Sequence, residues 1–79
     1  MKHHLYIYND AEHSFKYVWT ALVEILGHLP IQAEQCCLIA DAKGKCQIKQ
    51  SDDIFEIQEL KIKFENLDLK VEVLNENYA

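Results

Sequence analysis

The chain has 79 residues, of which 49% are hydrophobic, and a formal net charge of −5 at pH 7. This length predicts one small domain over residues 1–79, and the hydrophobic fraction excludes a disordered chain. The negative charge argues against a nucleic-acid-binding protein, which needs a basic surface to neutralise phosphates. No apolar run approaches the roughly 18 residues of a membrane span. No signal peptide opens the chain, so we expect a cytoplasmic monomer.

The beginning of the chain predicts a strand followed by a helix. Residues 3–8 end in an alternating run that is typical of a half-buried strand. Apolar residues then recur at three- and four-residue spacing over residues 14–26, which predicts a helix with one wide apolar face. Ser14 is its expected N-cap. Gly27 is expected to end it, because glycine adopts the left-handed cap conformation at little cost.

A second helix is predicted over residues 30–42, with Pro30 in its first turn and Gly44 at its end. Its expected buried face consists of small residues that allow close packing: Ala33, Cys36, Cys37 and Ala40. The chain has three cysteines, Cys36, Cys37 and Cys46, and no CxxC motif. We therefore expect reduced, largely buried thiols and no bound metal or cofactor.

The second half of the chain predicts a strand, a helix and a strand. Residues 46–49 alternate and predict the second strand. The third helix is expected over residues 53–65, opened by a capping box between Asp53 and Glu56. Residues 67–73 alternate most regularly of all and predict the last strand. The order β-α-α-β-α-β favours an α+β fold, a two-layer sandwich in which helices cover one face of a three-stranded sheet.

The sequence contains no recognisable catalytic arrangement. Ser14 and Ser51 are the only serines, and both occupy expected capping positions. The two glycines are far apart and cannot form a phosphate-binding loop. A loop trio of Asp10, Glu12 and His13 is more typical of a solvated turn than of a metal site. We therefore expect that the protein is not an enzyme.

The transition from the first strand to the first helix is the most informative segment. The strand stops at Asn9-Asp10, whose short polar side chains hydrogen-bond the local backbone in turns. The helical pattern begins five residues later. This arrangement predicts a polar ledge beside a helix N-terminus, although an ordinary strand-to-helix connection would have the same sequence.

Three segments carry a family resemblance. Residues 9–18 have the pattern Asn-Asp-x-x-x-Ser-Phe-x-x-Val, residues 32–36 read Gln-Ala-Glu-Gln-Cys, and residues 43–45 read Lys-Gly-Lys. In order and spacing they resemble the Asn-Asp-x-x-x-Thr-Phe-x-x-Val motif, the Glu/Gln-Ala-x-Gln helix segment and the glycine turn of the ClpS family. Members of that family are adaptors that deliver N-degron substrates to the Clp protease. The resemblance covers about residues 4–74 and implies an antiparallel sheet.

The resemblance also implies a binding site. In the family, a small apolar pocket takes the first side chain of a substrate, and polar groups at its rim hold the free α-ammonium. The positions in this chain that are implied to bind peptide are Asn9, Asp10, Phe15, Val18, Cys37, Ala40, Asp41 and Leu69. The apolar members of this set would equally suit an ordinary hydrophobic core.

The chain departs from the family pattern at the rim. Ala11 replaces an acidic residue, and Asp41 replaces a histidine. One hypothesis is that Asp41 takes over the carboxylate role that position 11 has lost. The other is that free N-termini are no longer recognised.

The implied partners are the N-terminal domain of a Clp ATPase unfoldase and peptides with an apolar or aromatic first residue. One alternative is a diverged interaction or inhibitor module that occupies the unfoldase without delivering cargo. Another is a metal-binding protein that uses His3, His4 or His13.

Overall fold

The computed structural model describes residues 2–9 and 11–75. The predicted order of elements is confirmed. The elements are β1 (His3–Tyr8), α1 (Phe15–Leu26), α2 (Pro30–Lys43), β2 (Lys45–Ser51), α3 (Ile54–Glu65) and β3 (Val71–Asn75). Within the described residues, none of these helices is both long enough and apolar enough to cross a membrane.

The three strands form an antiparallel sheet in the order β2-β1-β3, as the resemblance implied. Leu5 pairs with Lys49 on one side of β1 and with Val73 on the other. The register with β2 shifts by one residue between Leu5 and Tyr6, and no such shift interrupts the pairing with β3. The central strand therefore ends with neighbours on both sides, and this fixes the position of the residues that follow it.

The helices cover one face of the sheet and bury the inward-facing residues of β1. Leu5 and Ile7 are fully buried, as are Leu22 of α1 and Ile57 and Phe64 of α3. The small residues of α2 predicted to be buried are all buried: Ala33, Cys36, Cys37 and Ala40. Because these side chains are short, α2 lies close to its neighbours without filling all the space beside α1.

Helix ends follow the predicted capping residues with one exception. The Tyr17 N–H donates to Ser14 Oγ at 3.1 Å, and Gly27 and Gly44 adopt positive φ angles of 69° and 95°. Asp53 caps α3 by accepting from the N–H groups of Phe55 and Glu56. The reciprocal half of the predicted capping box does not form, because the Asp53 N–H donates instead to Ser51 Oγ at 3.0 Å.

The predicted start of the last strand is wrong by four residues. Residues 66–68 form a turn in which Asp68 has a φ of 63°, and β3 begins only at Val71. The Leu69 N–H donates to the Phe64 carbonyl at 3.1 Å, so it closes the end of α3 instead of pairing with β1. Leu67 packs against the core and Leu69 is buried. A non-strand segment therefore has the same alternating sequence pattern as a strand.

Candidate functional site

A cavity of about 220 Å³ lies where the end of β1, the first turns of α1 and the second half of α2 meet. Ten of the described residues line it: Tyr8, Asn9, His13, Ser14, Phe15, Val18, Cys37, Leu38, Ala40 and Asp41. None of them belongs to α3, so the third helix does not fill the space. Six of the eight residues predicted to bind peptide line this cavity.

The inner walls of the cavity are apolar. Cys37 and Ala40 are 8% and 6% exposed, and Val18 packs against the core from α1. Phe15, at the first position of α1, is half exposed and forms the outer wall. The space exists because two short side chains occupy positions where larger residues would reach α1.

The mouth of the cavity is polar. Asn9 follows β1 directly, and its backbone N–H donates to the Gly44 carbonyl at 2.8 Å. Asp41 is exposed on the last turn of α2. The hydrogen bond to Gly44 ties the end of β1 to the end of α2. The residues Asn9 and Asp41 therefore provide an amide and a carboxylate at the edge of the apolar cavity.

Of the predicted site residues that the structure describes, Leu69 is not among those that line the cavity. Asp10 lies outside the described residues. Leu69 is 3% exposed in the turn before β3, where its backbone is held by Phe64, and it belongs to the core. Ala11, at the position that departs from the family pattern, is exposed.

His13 is a cavity residue that the sequence analysis assigned to a solvated turn. Its ring stacks on Tyr17 with centroids 4.6 Å apart, and its Nε2 lies 3.7 Å from Asp68 Oδ2. The Tyr17 hydroxyl donates to the Leu67 carbonyl at 2.8 Å. These contacts join the loop before α1 to the turn before β3. No local sequence signal indicates a contact between segments more than fifty residues apart.

Leu38 was also missed, although helical spacing could have identified it. It precedes Asp41 by three residues and therefore lies on the same side of α2. Its side chain is 54% exposed, close to the 50% of Phe15 across the cavity. It extends the apolar surface from the cavity to the outside of the helix.

Tyr8 lines the cavity where β1 ends, and its ring lies on the face of the sheet opposite the buried Ile7. Its hydroxyl donates to Glu72, at 2.8 Å from each carboxylate oxygen. This hydrogen bond, followed by burial and the negative charge of Glu72, raises the pKa of Tyr8 above its ordinary value. The Lys70 and Lys45 ammonium groups lie 5.2 Å and 5.8 Å from the centre of the Tyr8 ring. The ring is therefore held from several sides.

The thiol of Cys37 contributes to the apolar character of the cavity. Burial, followed by the proximity of Cys46, raises its pKa, so it remains a neutral thiol at pH 7. All three cysteines are free. Residues 2–9 and 11–75 contain no group of three His, Cys, Asp or Glu side chains placed to hold a metal ion.

The burial of the thiols gives a prediction about their reactivity. Cys36 and Cys37 are buried and burial raises the pKa of both, whereas Cys46 is only partly buried. With iodoacetamide at pH 8, we expect Cys46 to be alkylated first and Cys36 last, as measured by peptide mass spectrometry over time. Equal rates for Cys36 and Cys46 would contradict the packing of α2 on β2. A Cys36–Cys37 disulfide in native protein would contradict the expectation of reduced thiols.

A match to a protein family covers most of the chain. The family model described as "ATP-dependent Clp protease adaptor protein ClpS" matches residues 1–72. No curated protein matches the chain. The family comparison favours an adaptor and does not favour the alternative of a diverged module.

The fold is also that of a solved structure, Agrobacterium tumefaciens ClpS2 bound to L-phenylalaninamide. The TM-score is 0.75 and the sequence identity is 14%. The similarity covers 92% of this chain and 94% of the Agrobacterium chain. With 14% identity, the comparison shows that the two chains share a fold. This shared fold has the order β-α-α-β-α-β and an antiparallel sheet.

Proposed function

We propose, from the premise that the chain belongs to the ClpS family of adaptors of the ATP-dependent Clp protease, that it binds polypeptides through an apolar first residue. The first side chain enters the cavity, and the free α-ammonium remains at its polar mouth. The adaptor then presents the bound polypeptide to a Clp unfoldase in the cytoplasm.

The observation that supports this proposal is the cavity between α1 and α2. A cavity of about 150 Å³ is sufficient to bind benzene, and the volume here is about 220 Å³. The walls formed by Val18, Cys37 and Ala40 offer an aromatic side chain an apolar environment. The Agrobacterium ClpS2 structure contains L-phenylalaninamide, which combines a phenyl ring with a free α-amino group.

Asp41 is the proposed acceptor for the α-ammonium. A charged group that is partly removed from water requires an anionic or strongly polar partner, because an unpaired charge costs several kcal/mol. Asp41 and Asn9 both line the mouth of the cavity. Ala11 offers no such group. In the proposed complex, the ammonium donates to the Asp41 carboxylate and the side-chain oxygen of Asn9.

Peptide acetylation tests this mode of recognition. We expect a peptide that begins with Phe to bind, and the same peptide with an acetylated N-terminus to bind at least tenfold more weakly, as measured by isothermal titration calorimetry. Acetylation removes the positive charge and adds bulk at the mouth of the cavity. A peptide that begins with Ser serves as the control for the side chain. Equal affinity of the free and acetylated peptides would contradict the proposal.

Presentation to the unfoldase is tested separately. The proposed partner is the N-terminal domain of a Clp ATPase, which we expect to bind this chain with or without a peptide in the cavity. Degradation of a reporter that begins with Phe should then depend on the adaptor. If the unfoldase domain binds but the adaptor only slows degradation, the inhibitor-module alternative would replace this part of the proposal.

A further inference from the structure

A second apolar depression adjoins the cavity. It lies between the first two turns of α1 and the first two turns of α2 and has a volume of about 540 Å³. We call it the α1–α2 groove, and its lining residues are Phe15, Lys16, Trp19, Pro30, Ile31 and Glu34. The Trp19 indole N–H donates to the Pro30 carbonyl at 3.2 Å, which fixes the ring against the start of α2.

The groove shares one wall with the cavity. Phe15 lines both and is half exposed. On α2, Ile31 of the groove and Leu38 of the cavity are seven positions apart and therefore share one side of the helix. Ile31 and Leu38 are 57% and 54% exposed. The exposed Glu34 and Gln35 lie between them on that side, so Phe15 is the apolar residue that joins the cavity to the groove.

The distance along α2 between Leu38 and Ile31 indicates which part of a bound peptide would reach the groove. Seven helical positions span about 10 Å, and an extended chain rises about 3.3 Å per residue. A peptide whose first side chain is beside Leu38 therefore reaches Ile31 with its third or fourth residue. Lys16 and Glu34 give the groove one charge of each sign, so it offers no preference for a charged side chain. Its other walls are aromatic and aliphatic.

We propose that the α1–α2 groove binds an apolar side chain at the third or fourth position of the same peptide whose first residue occupies the cavity. This inference rests on the proposed function. It assigns the adaptor a preference for substrates that begin with an apolar residue and carry a second apolar residue shortly afterwards. The groove contributes affinity, and the cavity with its polar mouth selects the free N-terminus.

A peptide series tests the inference. The parent peptide is Phe-Gly-Gly-Gly-Ser-Lys, and its variants carry Leu at position 2, 3, 4 or 5. We expect Leu at position 3 or 4 to increase affinity at least fivefold, with a smaller change at positions 2 and 5. Trp19 is the only tryptophan of the chain. Its fluorescence should therefore change more with the position-3 or position-4 peptide than with the parent peptide at saturation.

Two substitutions locate the effect. Ile31→Ser should reduce the ratio of affinities between the Leu-containing peptide and the parent to about one. Ile62→Ser is the matched control, since Ile62 lies on α3 and is 55% exposed, close to the exposure of Ile31. Because both side chains are exposed, both variants should fold. Circular dichroism melting curves verify this.

The outcomes separate this inference from the proposed function. If no peptide that begins with Phe binds, the proposed function fails and the inference fails with it. If the parent binds but Leu adds nothing at positions 3 and 4, or the gain persists in Ile31→Ser, only the groove inference is overturned. Dimerisation that Ile31→Ser abolishes would assign the groove to a second copy of the chain and would also overturn it.

Discussion

Asp41→Asn is expected to weaken binding of peptides that begin with Phe by roughly 10- to 150-fold. A hydrogen bond to a charged group contributes about 1.5–3 kcal/mol, and about 1.4 kcal/mol corresponds to a factor of ten in affinity. The substitution preserves shape but removes the negative charge at the mouth of the cavity. Asp41 is exposed on the last turn of α2, so the fold should be unaffected. Calorimetric titration measures the effect.

The control and the rescue make this experiment decisive. Asp52→Asn is the same change at an exposed position outside the residues that line the cavity, and it should leave affinity unchanged. Combining Ala11→Asp with Asp41→His restores the family pattern and should recover binding. If Asp41→Asn binds as tightly as the wild type, Asp41 is not the acceptor of the ammonium.

Ala40→Leu is expected to lower affinity for the same peptides by more than tenfold. Ala40 is 6% exposed and lines the cavity, so a larger side chain occupies the space proposed for the substrate ring. Because the added atoms enter an existing cavity and not a closely packed core, the variant should remain folded, which a melting curve would verify. The loss of affinity should be greater for a peptide that begins with Phe than for one that begins with Val.

Ala42→Leu is the matched control for this change. Ala42 lies two residues further along the same helix and is exposed. This substitution should change the melting temperature by no more than a few degrees, and it should leave the affinity for the peptide unchanged. Unchanged peptide binding in a folded Ala40→Leu protein would mean that the peptide binds elsewhere.

The sequence predicted the fold where local chemistry decides the structure. Ser14, Gly27, Gly44 and Asp53 mark the helix ends because capping depends on one side chain or one φ angle. The predicted start of β3 was wrong because an alternating sequence indicates which residues are buried but not whether they pair with a neighbouring strand. Leu69 is buried, as the alternating pattern predicts, but it follows the turn at residues 66–68 and its N–H donates to the Phe64 carbonyl.

Some residues of the candidate site could be predicted from the sequence, and others could not. The family resemblance implied six site residues that the structure places around one cavity: Asn9, Phe15, Val18, Cys37, Ala40 and Asp41. His13 was missed because its position depends on Tyr17 and on Asp68, which comes from the other end of the chain. The groove beyond Phe15 was missed because the motif at the start of α2 does not indicate which of its residues face α1. It becomes visible only when the packing of α1 against α2 is known.

The position of β1 in the middle of the sheet has a consequence for synthesis. The Asn9 N–H donates to Gly44, and the Tyr8 N–H donates to the Lys70 carbonyl at 3.0 Å. These partners leave the ribosome long after β1, and β3 is made after both. A nascent chain that ends before residue 71 lacks β3, which is one neighbour of its central strand. The sheet that positions the cavity is therefore complete only after β3 has been synthesised.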